Sequence, residues 1–188
     1  MDLRTKKTQR SIREAFLQLR GKKPLERITV KELTELAEIS KATFYLHYQD
    51  IYDLSDRLQQ EVIEATMQQI LQPEAFLANP TDFMQELVSA FAAQRPVIQV
   101  LFSGHQSAVF PARIEEAFKQ YFSQHVPQLN QDVTVQTYLT YEVYGAYYAF
   151  LRNVEQFGRD ATLQALHNLS LGLTQSPTLK QSIAEAKR

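Results

Sequence analysis

The sequence predicts an all-α fold, and three observations lead to this prediction. Apolar residues recur at the three- and four-residue spacing of a helix, and no segment shows the sustained two-residue alternation of a half-buried strand. Only 5 glycines occur in 188 residues, which is few for a protein built from tight β-turns. The 7 prolines fall at proposed helix junctions or in first turns, where a missing N–H costs little. We therefore expect a three-helix N-terminal domain over residues 1–50 and a larger helical domain over residues 51–188.

The first three helices have recognisable starts and stops. The first helix is expected to end at Gly21, because glycine is favoured just after a helix. Thr29 is the predicted N-cap of the second helix, and Glu32 three residues later completes a capping box. Ser40 is the predicted N-cap of a third helix that runs from Lys41 to Tyr48.

The remaining helices are longer. A fourth helix is expected to begin at Asp50 and to end before Pro73. The pattern predicts further helices at 81–94, 96–104, 111–125, 133–157, 160–173 and 177–187.

Charge is distributed unevenly along the chain, although the formal net charge is only -1. Residues 1–48 contain eleven Lys and Arg against six Asp and Glu, a net charge of +5, which leaves -6 on the remainder. A basic head on an acidic body indicates that the head meets a polyanion. A solvated helix surface would show the same charges.

Composition excludes several classes of protein. The chain has 0 cysteines, which rules out disulfides, thiolate metal sites and a cysteine nucleophile. No apolar run approaches the ~20 residues that span a bilayer. The first ten residues lack the apolar stretch of a secretory signal. The sequence therefore predicts a soluble, cytoplasmic protein with no membrane partner.

The most informative stretch is 28–53, two short capped helices joined by a tight turn, which predicts a helix-turn-helix. The second of these helices is predicted to carry Lys41, Thr43, Tyr45 and His47 on its outward side, while Phe44 packs inward. A helix about 10–12 Å across fits the major groove of B-DNA, where each base pair presents a distinct pattern of donors and acceptors.

The same residues resemble a known family. The segment TVKEL from Thr29, then Ala37, then ISKATFYLHY from Ile39 to Tyr48 is similar to the DNA-binding domain of the TetR family of bacterial transcriptional regulators, over about residues 5–55. Two positions depart from the family pattern. Glu38 stands in the turn where glycine is frequent, and Ile51 stands where the family often has a phosphate-binding lysine.

The resemblance implies a role for each of these residues. Thr29 and Lys31 would meet the phosphate backbone, while Thr43 and His47 would hold phosphate oxygens. Base edges would be met from the third helix, with a lysine donating to guanine and apolar groups touching a thymine methyl. The predicted DNA-binding set is Thr29, Lys31, Ser40, Lys41, Ala42, Thr43, Tyr45, Leu46 and His47.

The second domain is rich in aromatic residues. Helically spaced aromatics form plain core in most proteins, but a helical domain of this size can also enclose a small-molecule site. The resemblance implies such an effector site among the helices from about residue 50 to residue 150. The candidate residues are Phe91, Phe102, His105, Phe118, Tyr141, Tyr144 and Tyr148.

The last long helices predict a homodimer. Gly145 and Ala146 form a patch of small residues that permits a partner helix to approach, and Leu163 and Leu166 belong to a helix with more apolar faces than one core needs. Two-fold symmetry favours a near-palindromic operator in double-stranded DNA. The alternative is an intramolecular bundle in a monomer.

We therefore expect a dimeric repressor that a small molecule releases from its operator. The alternative is an activator or co-activator of the same family whose C-terminal domain binds a protein. An enzyme is not expected, because the sequence has no Gly-rich phosphate loop, HExxH or GxSxG, and its 4 histidines are scattered. No cofactor and no metal is predicted.

Overall fold

The computed structural model describes residues 3–70 and 75–186, and all regular structure in these two ranges is helical, which confirms the predicted all-α class. The predicted junction at Pro73 and residue 187 of the last predicted helix lie outside the described residues. The helices are α1 (Leu3–Arg20), α2 (Val30–Leu36), α3 (Lys41–Tyr45), α4 (Ile51–Ile70), α5 (Ala75–Ala78), α6 (Pro80–Ala93), α7 (Arg95–Leu101), α8 (Val109–His125), α9 (Pro127–Gln131), α10 (Val133–Phe157), α11 (Arg159–Thr174) and α12 (Pro177–Ala186), with 3-10 turns at Leu25–Arg27 and Gly104–Ala108.

Several helix boundaries differ from the predicted ones. The helix at 133–157 has the predicted ends, whereas the one predicted at 96–104 spans only Arg95–Leu101. After it, Gly104 has a positive φ of 59°, which glycine adopts easily, and a 3-10 turn follows. The short helices Ala75–Ala78 and Pro127–Gln131 were not predicted, because four or five residues are too few to show a periodicity.

Helix α3 ends three residues earlier than the sequence predicts. It spans Lys41–Tyr45, and Leu46 is its C-cap. The next backbone N–H, that of His47, bonds to the carbonyl of Phe44 at 2.9 Å, three residues back instead of four. Such bonds tighten the last turn of many helices. The prediction that this helix continues to Tyr48 is therefore wrong by about one turn.

The chain forms two compact units. The first, which we call the head unit, combines Met1–Val62 with Gln94–Ala108. The second, which we call the body unit, combines Ile63–Ala93 with Val109–Arg188. The head unit thus extends past residue 50, where the sequence places the end of the N-terminal domain, and takes in a segment from the middle of the chain.

The core of the head unit is apolar and continuous. Helix α1 packs against α2 and α7, and α2 packs against α3. Complete burial of a large apolar side chain contributes about 1.5–3 kcal/mol. The fully buried large side chains of the head unit are Ile12, Phe16, Leu33, Phe44, Leu54, Leu58 and Leu101.

Two buried polar side chains bind the segment 94–108 to the rest of the head unit. Arg20, at the end of α1, donates from Nη2 to the Ser103 Oγ at 2.7 Å and from Nη1 to the Lys23 carbonyl at 3.1 Å. The Nε2 of Gln59 on α4 donates to the Leu101 carbonyl at 3.1 Å. Because buried polar groups are costly without partners, these bonds fix where the segment can lie.

The body unit is centred on α10, which packs against α8, α9, α11 and α12, while α11 also packs against α6. Its core contains a cluster of aromatic rings whose centroids lie 5.2 to 6.4 Å apart. This spacing favours edge-on and offset contacts between rings. The cluster consists of Phe76, Phe83, Phe118, Phe122 and Tyr138.

Candidate nucleic-acid interface

The two short helices of the head unit, α2 and α3, both begin at a side-chain cap. The Thr29 Oγ1 accepts from the backbone N–H of Glu32 at 3.2 Å, and the Glu32 carboxylate accepts from the backbone N–H of Thr29 at 3.2 Å. The Ser40 Oγ accepts from the backbone N–H of Thr43 at 3.0 Å. Both predicted caps and the predicted capping box are confirmed, so local sequence fixes where each helix starts.

The turn between these helices contains a strained residue. Glu38 has φ 54°, and it is the only non-glycine residue with positive φ among residues 3–70 and 75–186. The backbone N–H of Ile39 bonds to the Thr34 carbonyl at 3.0 Å, and that of Glu38 bonds to the Glu35 carbonyl at 3.3 Å. This pair of bonds is the Schellman motif, whose left-handed position favours glycine. Glu38 therefore occupies a backbone conformation that is unfavourable for a residue with a Cβ.

Helix α3 buries one side and exposes the other. Phe44 is 0% exposed, as predicted, and Tyr48 is 6% exposed, so both belong to the core. Tyr45 is 57% exposed and Leu46 is 82% exposed, which confirms the outward orientation that the sequence predicts for Tyr45. The buried Phe44 ring contacts the rings of Tyr45 and Tyr48, with centroids 5.4 and 5.7 Å away. Phe44 therefore anchors α3 and determines which side chains face outward.

The nine predicted DNA-binding residues lie together at the start of α2 and along α3 and its C-terminal turn. Most of them are exposed, and only Thr43 and His47 are half-buried. The Thr43 hydroxyl lies 2.8 Å from the Ser40 hydroxyl and so has a partner within the cap. The exposed members are Thr29, Lys31, Ser40, Lys41, Ala42, Tyr45 and Leu46.

Cations at this surface are only partly neutralised. Lys41 forms no ion pair with any residue in the described parts of the chain, and the first turn of α3 contains no acidic residue. The Nζ of Lys31 lies 4.0 Å from the Glu35 Oε1 with both side chains well exposed, a contact of little energy in water. A phosphate or a base edge would thus meet no competing carboxylate at Lys41.

By contrast, Lys23 forms an ion pair within the head unit. Its Nζ donates to the Glu32 carboxylate at 2.7 Å. This bond, together with the bonds from the Thr29 hydroxyl and backbone N–H, lowers the pKa of Glu32 to about 2. The carboxylate that caps α2 is therefore held in its charged form.

The start of α4 lacks a cation that could hold phosphate, as the departure at Ile51 implies. Ile51 is buried, and the exposed residue beside it is Tyr52. Sequence reasoning missed Tyr52, although the spacing of Ile51, Leu54 and Leu58 on the buried side places it outward.

The candidate effector residues fall in both units. Phe102 and His105 belong to the head unit, because the segment 94–108 is part of it. Phe118 is fully buried in the aromatic core of the body unit. The other candidates also belong to the body unit: Phe91 and Tyr144 are half-buried, and Tyr141 and Tyr148 are exposed on α10. Neither compact unit contains the whole candidate set.

The candidate dimer residues lie at the surface of the body unit. Gly145 is exposed on α10, and Ala146, Leu163 and Leu166 are half-buried. A Cβ at Gly145 would come no closer than 4.0 Å to another group, so the backbone there is open to approach. These residues occupy both of the helices that the sequence associates with a partner.

Comparison of the chain with protein-family models, curated proteins and solved structures finds no significant match. In the described ranges, no helix combines the length and the apolar character needed to cross a bilayer. The same ranges contain no group of three His, Asp or Glu side chains arranged to hold a metal ion.

Proposed function

We propose that this protein is a sequence-specific DNA-binding transcriptional regulator of the TetR type, in which α3 enters the major groove. The observation that carries the proposal is the two-sided character of α3. A lysine with no ion-pair partner and two large exposed side chains, Tyr45 and Leu46, lie outward while Phe44 is locked into the core. Adjacent exposed tyrosine and leucine side chains gain no stabilisation from burial in the folded protein. Such an exposed apolar surface is typical of a binding site, and here bound DNA would cover it.

The chemistry of the side chains assigns them to two tasks. Lys41 is suited to donate to the O6 or N7 of guanine, and the methyl groups of Ala42 and Leu46 are suited to contact a thymine methyl. The hydroxyls and cations around them bind phosphate and so set the register of the helix on the duplex. The phosphate-binding group consists of Thr29, Lys31, Ser40, Thr43 and His47, and Tyr45 can serve either task.

A homodimer completes the proposal. Tyr141 and Tyr148 are exposed on the same side of α10 as Gly145, and Leu169 is 65% exposed on α11. In the dimer, these side chains would be covered by their symmetry mates in an isologous interface. Two copies of α3 about 34–36 Å apart would then read a near-palindromic operator.

Regulation in this proposal comes from a small molecule that binds the body unit and weakens operator binding. Weakening by ~100- to 1,000-fold requires ~3–4 kcal/mol of differential binding, at or slightly above the usual range of allosteric coupling. The protein would act as a repressor in the absence of that molecule.

Selection of bound genomic DNA fragments by the purified full-length protein tests the proposal. We expect enrichment of fragments that share a near-palindromic sequence. Lys41→Ala should abolish the enrichment, while Lys22→Ala should retain it, because Lys22 is an equally charged, exposed residue of the head unit outside the interface. If the wild-type protein enriches no sequence at low salt, or if both variants lose it equally, the proposal fails.

A further inference from the structure

Two adjacent lysines near the start of α1 point their charges into solvent. Lys6 and Lys7 are both exposed, and neither forms an ion pair or a hydrogen bond within the described ranges. Helical spacing places them on the side of α1 that faces away from the buried Ile12 and Phe16, where Leu3 is also exposed. The fold therefore uses neither lysine to hold α1 in place.

These two positions are unfavourable for a cation in the free protein. The first turn of α1 contains no acidic residue among the described residues. The start of a helix is the positive end of its dipole, which favours anions over cations, and two neighbouring lysines also repel each other.

Further along α1 the cations have partners. The Arg10 Nε donates to the Glu14 carboxylate at 2.8 Å, and the Arg13 Nη1 lies 3.4 Å from the carboxylate of Glu61 on α4. The positive charge of α1 is thus neutralised one and two turns after the lysines and left open at the lysines themselves.

A series of contacts connects this part of α1 to the end of α3. Arg13 meets α4 at Glu61, and one turn earlier on α4 the guanidinium of Arg57 lies 5.4 Å from the centre of the Tyr48 ring. Tyr48 directly follows the predicted DNA-binding residues of α3. Lys6 precedes Arg13 by only seven residues, about 10 Å along the helix. A duplex seated on α3 extends past this five-residue helix in both directions, with a negative charge every ~1.7 Å.

The start of α4 is unsuited to holding the phosphates of such a duplex. The exposed Asp50 accepts from the backbone N–H of Asp53 at 2.8 Å, and Asp53 accepts from the backbone N–H of Gln49 at 2.9 Å. The two carboxylates occupy backbone donors at this helix start and would repel a phosphate. Cations that hold the DNA backbone must therefore come from other parts of the head unit.

We propose that Lys6 and Lys7 bind backbone phosphates of the same duplex that α3 reads. The inference rests on the proposed function and adds a second contact surface to it. An ammonium group meets a phosphate oxygen whatever the neighbouring base, so this surface contributes affinity and no sequence preference. Bound phosphates would also neutralise the two charges that the free protein leaves unpaired.

The salt dependence of DNA binding tests the inference. The full-length protein is titrated with a duplex from the selected genomic fragments at salt concentrations from about 50 to 200 mM. Each phosphate contact contributes about 0.9 to the slope of log K against log salt. In a two-fold symmetric dimer, Lys6→Ala removes two such contacts, so we expect the slope to fall by about 1.8. Over this range the wild-type protein should lose roughly tenfold more affinity than the variant.

Further variants separate charge at this place from charge in general. Lys7→Ala should lower the slope as Lys6→Ala does, and Lys6→Arg should retain it, because the charge is kept. Arg159→Ala is the matched control, since Arg159 is an exposed cation at the start of α11 in the body unit, and its slope should equal that of the wild type. All of these variants should enrich the same DNA sequence and should unfold at a Tm no lower than that of the wild type.

The outcomes distinguish this inference from the proposed function. If the wild type binds its duplex and both alanine variants keep the wild-type slope, the lysine surface is refuted and the reading by α3 stands. An equal fall in slope in Arg159→Ala, or a lower Tm in the lysine variants, would also overturn the inference, because the effect would then come from overall charge or from folding. If the wild type binds no duplex at low salt, the proposed function and the inference fail together.

Discussion

Replacing Glu38 with glycine is expected to stabilise the head unit, although it removes a side chain. The residue has φ 54° at the left-handed position of a Schellman motif that ends α2. Its side chain is exposed and forms no hydrogen bond or ion pair within the described ranges. The substitution therefore relieves backbone strain without breaking a contact.

The magnitude follows from two opposing effects. A left-handed conformation costs a residue with a Cβ roughly 1–2 kcal/mol. The greater conformational freedom of glycine in the unfolded chain reduces this gain in stability by roughly 0.5–1 kcal/mol. The midpoints of these two ranges differ by about 0.7 kcal/mol, which is the rise in the free energy of unfolding of the head unit that we expect for Glu38→Gly.

Native-state hydrogen exchange measures this change where it occurs. The Phe44 amide bonds to the Ser40 carbonyl at 3.1 Å and reports on opening of the head unit. A gain of about 0.7 kcal/mol corresponds to exchange about threefold slower. Glu35→Gly is the matched control, because Glu35 is an exposed residue within α2, where glycine costs about 1 kcal/mol. The reasoning is refuted if exchange is unchanged or faster in Glu38→Gly, or if both variants shift in the same direction.

Further predictions concern one buried ring, one exposed ring and two acids. Phe44→Ala should lower the free energy of unfolding by about 3–5 kcal/mol in urea titrations, whereas Tyr45→Ala should lower it by only about 0.5–1.5 kcal/mol, the contribution of its ring contact with Phe44. In an NMR pH titration the Glu32 carboxyl should titrate near pH 2, because Lys23 bonds to it. The contribution of Glu32 to stability is complete above the ordinary pKa of 4.5, and it is lost as the pH falls through about 2. Burial raises the pKa of Glu142, so its contribution is present below the ordinary value and lost as the pH rises through the raised one. Glu142→Gln should therefore reduce the fall in Tm with rising pH, and an unchanged profile would contradict the burial of that carboxyl.

Local features of the head unit could be predicted from the sequence because their causes are local. The caps at Thr29 and Ser40 need only a hydroxyl and a backbone N–H three residues later. The inward position of Phe44 and the outward position of Tyr45 follow from helical spacing alone. Each of these predictions is confirmed.

Features that depend on distant parts of the chain could not be predicted. The segment 94–108 joins the head unit through bonds that Arg20 and Gln59 make across 83 and 42 residues of sequence. The sequence of the segment contains no pattern that predicts contacts with Arg20 or Gln59. For the same reason, Phe102 and His105 were grouped with aromatic residues of the body unit, to which they do not belong.

The end of α3 shows a third kind of difference. Helical spacing continues to Tyr48, and the backbone N–H of Tyr48 still bonds to the Phe44 carbonyl at 3.0 Å. The shorter bond of His47 nevertheless ends the regular helix at Tyr45. Sequence periodicity reports which side chains share a face, and it does not report the hydrogen-bond geometry of the last turn.

Titration of the isotope-labelled protein with duplex DNA at low salt, followed by amide NMR, tests most directly whether the outward face of α3 is the surface that binds DNA. With a duplex taken from the selected genomic fragments, we predict chemical-shift changes concentrated at Thr29, Lys31 and Ser40 to His47. The changes should weaken as salt is added, because phosphate contacts release counterions. An absence of any change at saturating duplex, or changes confined to the body unit, would contradict the account.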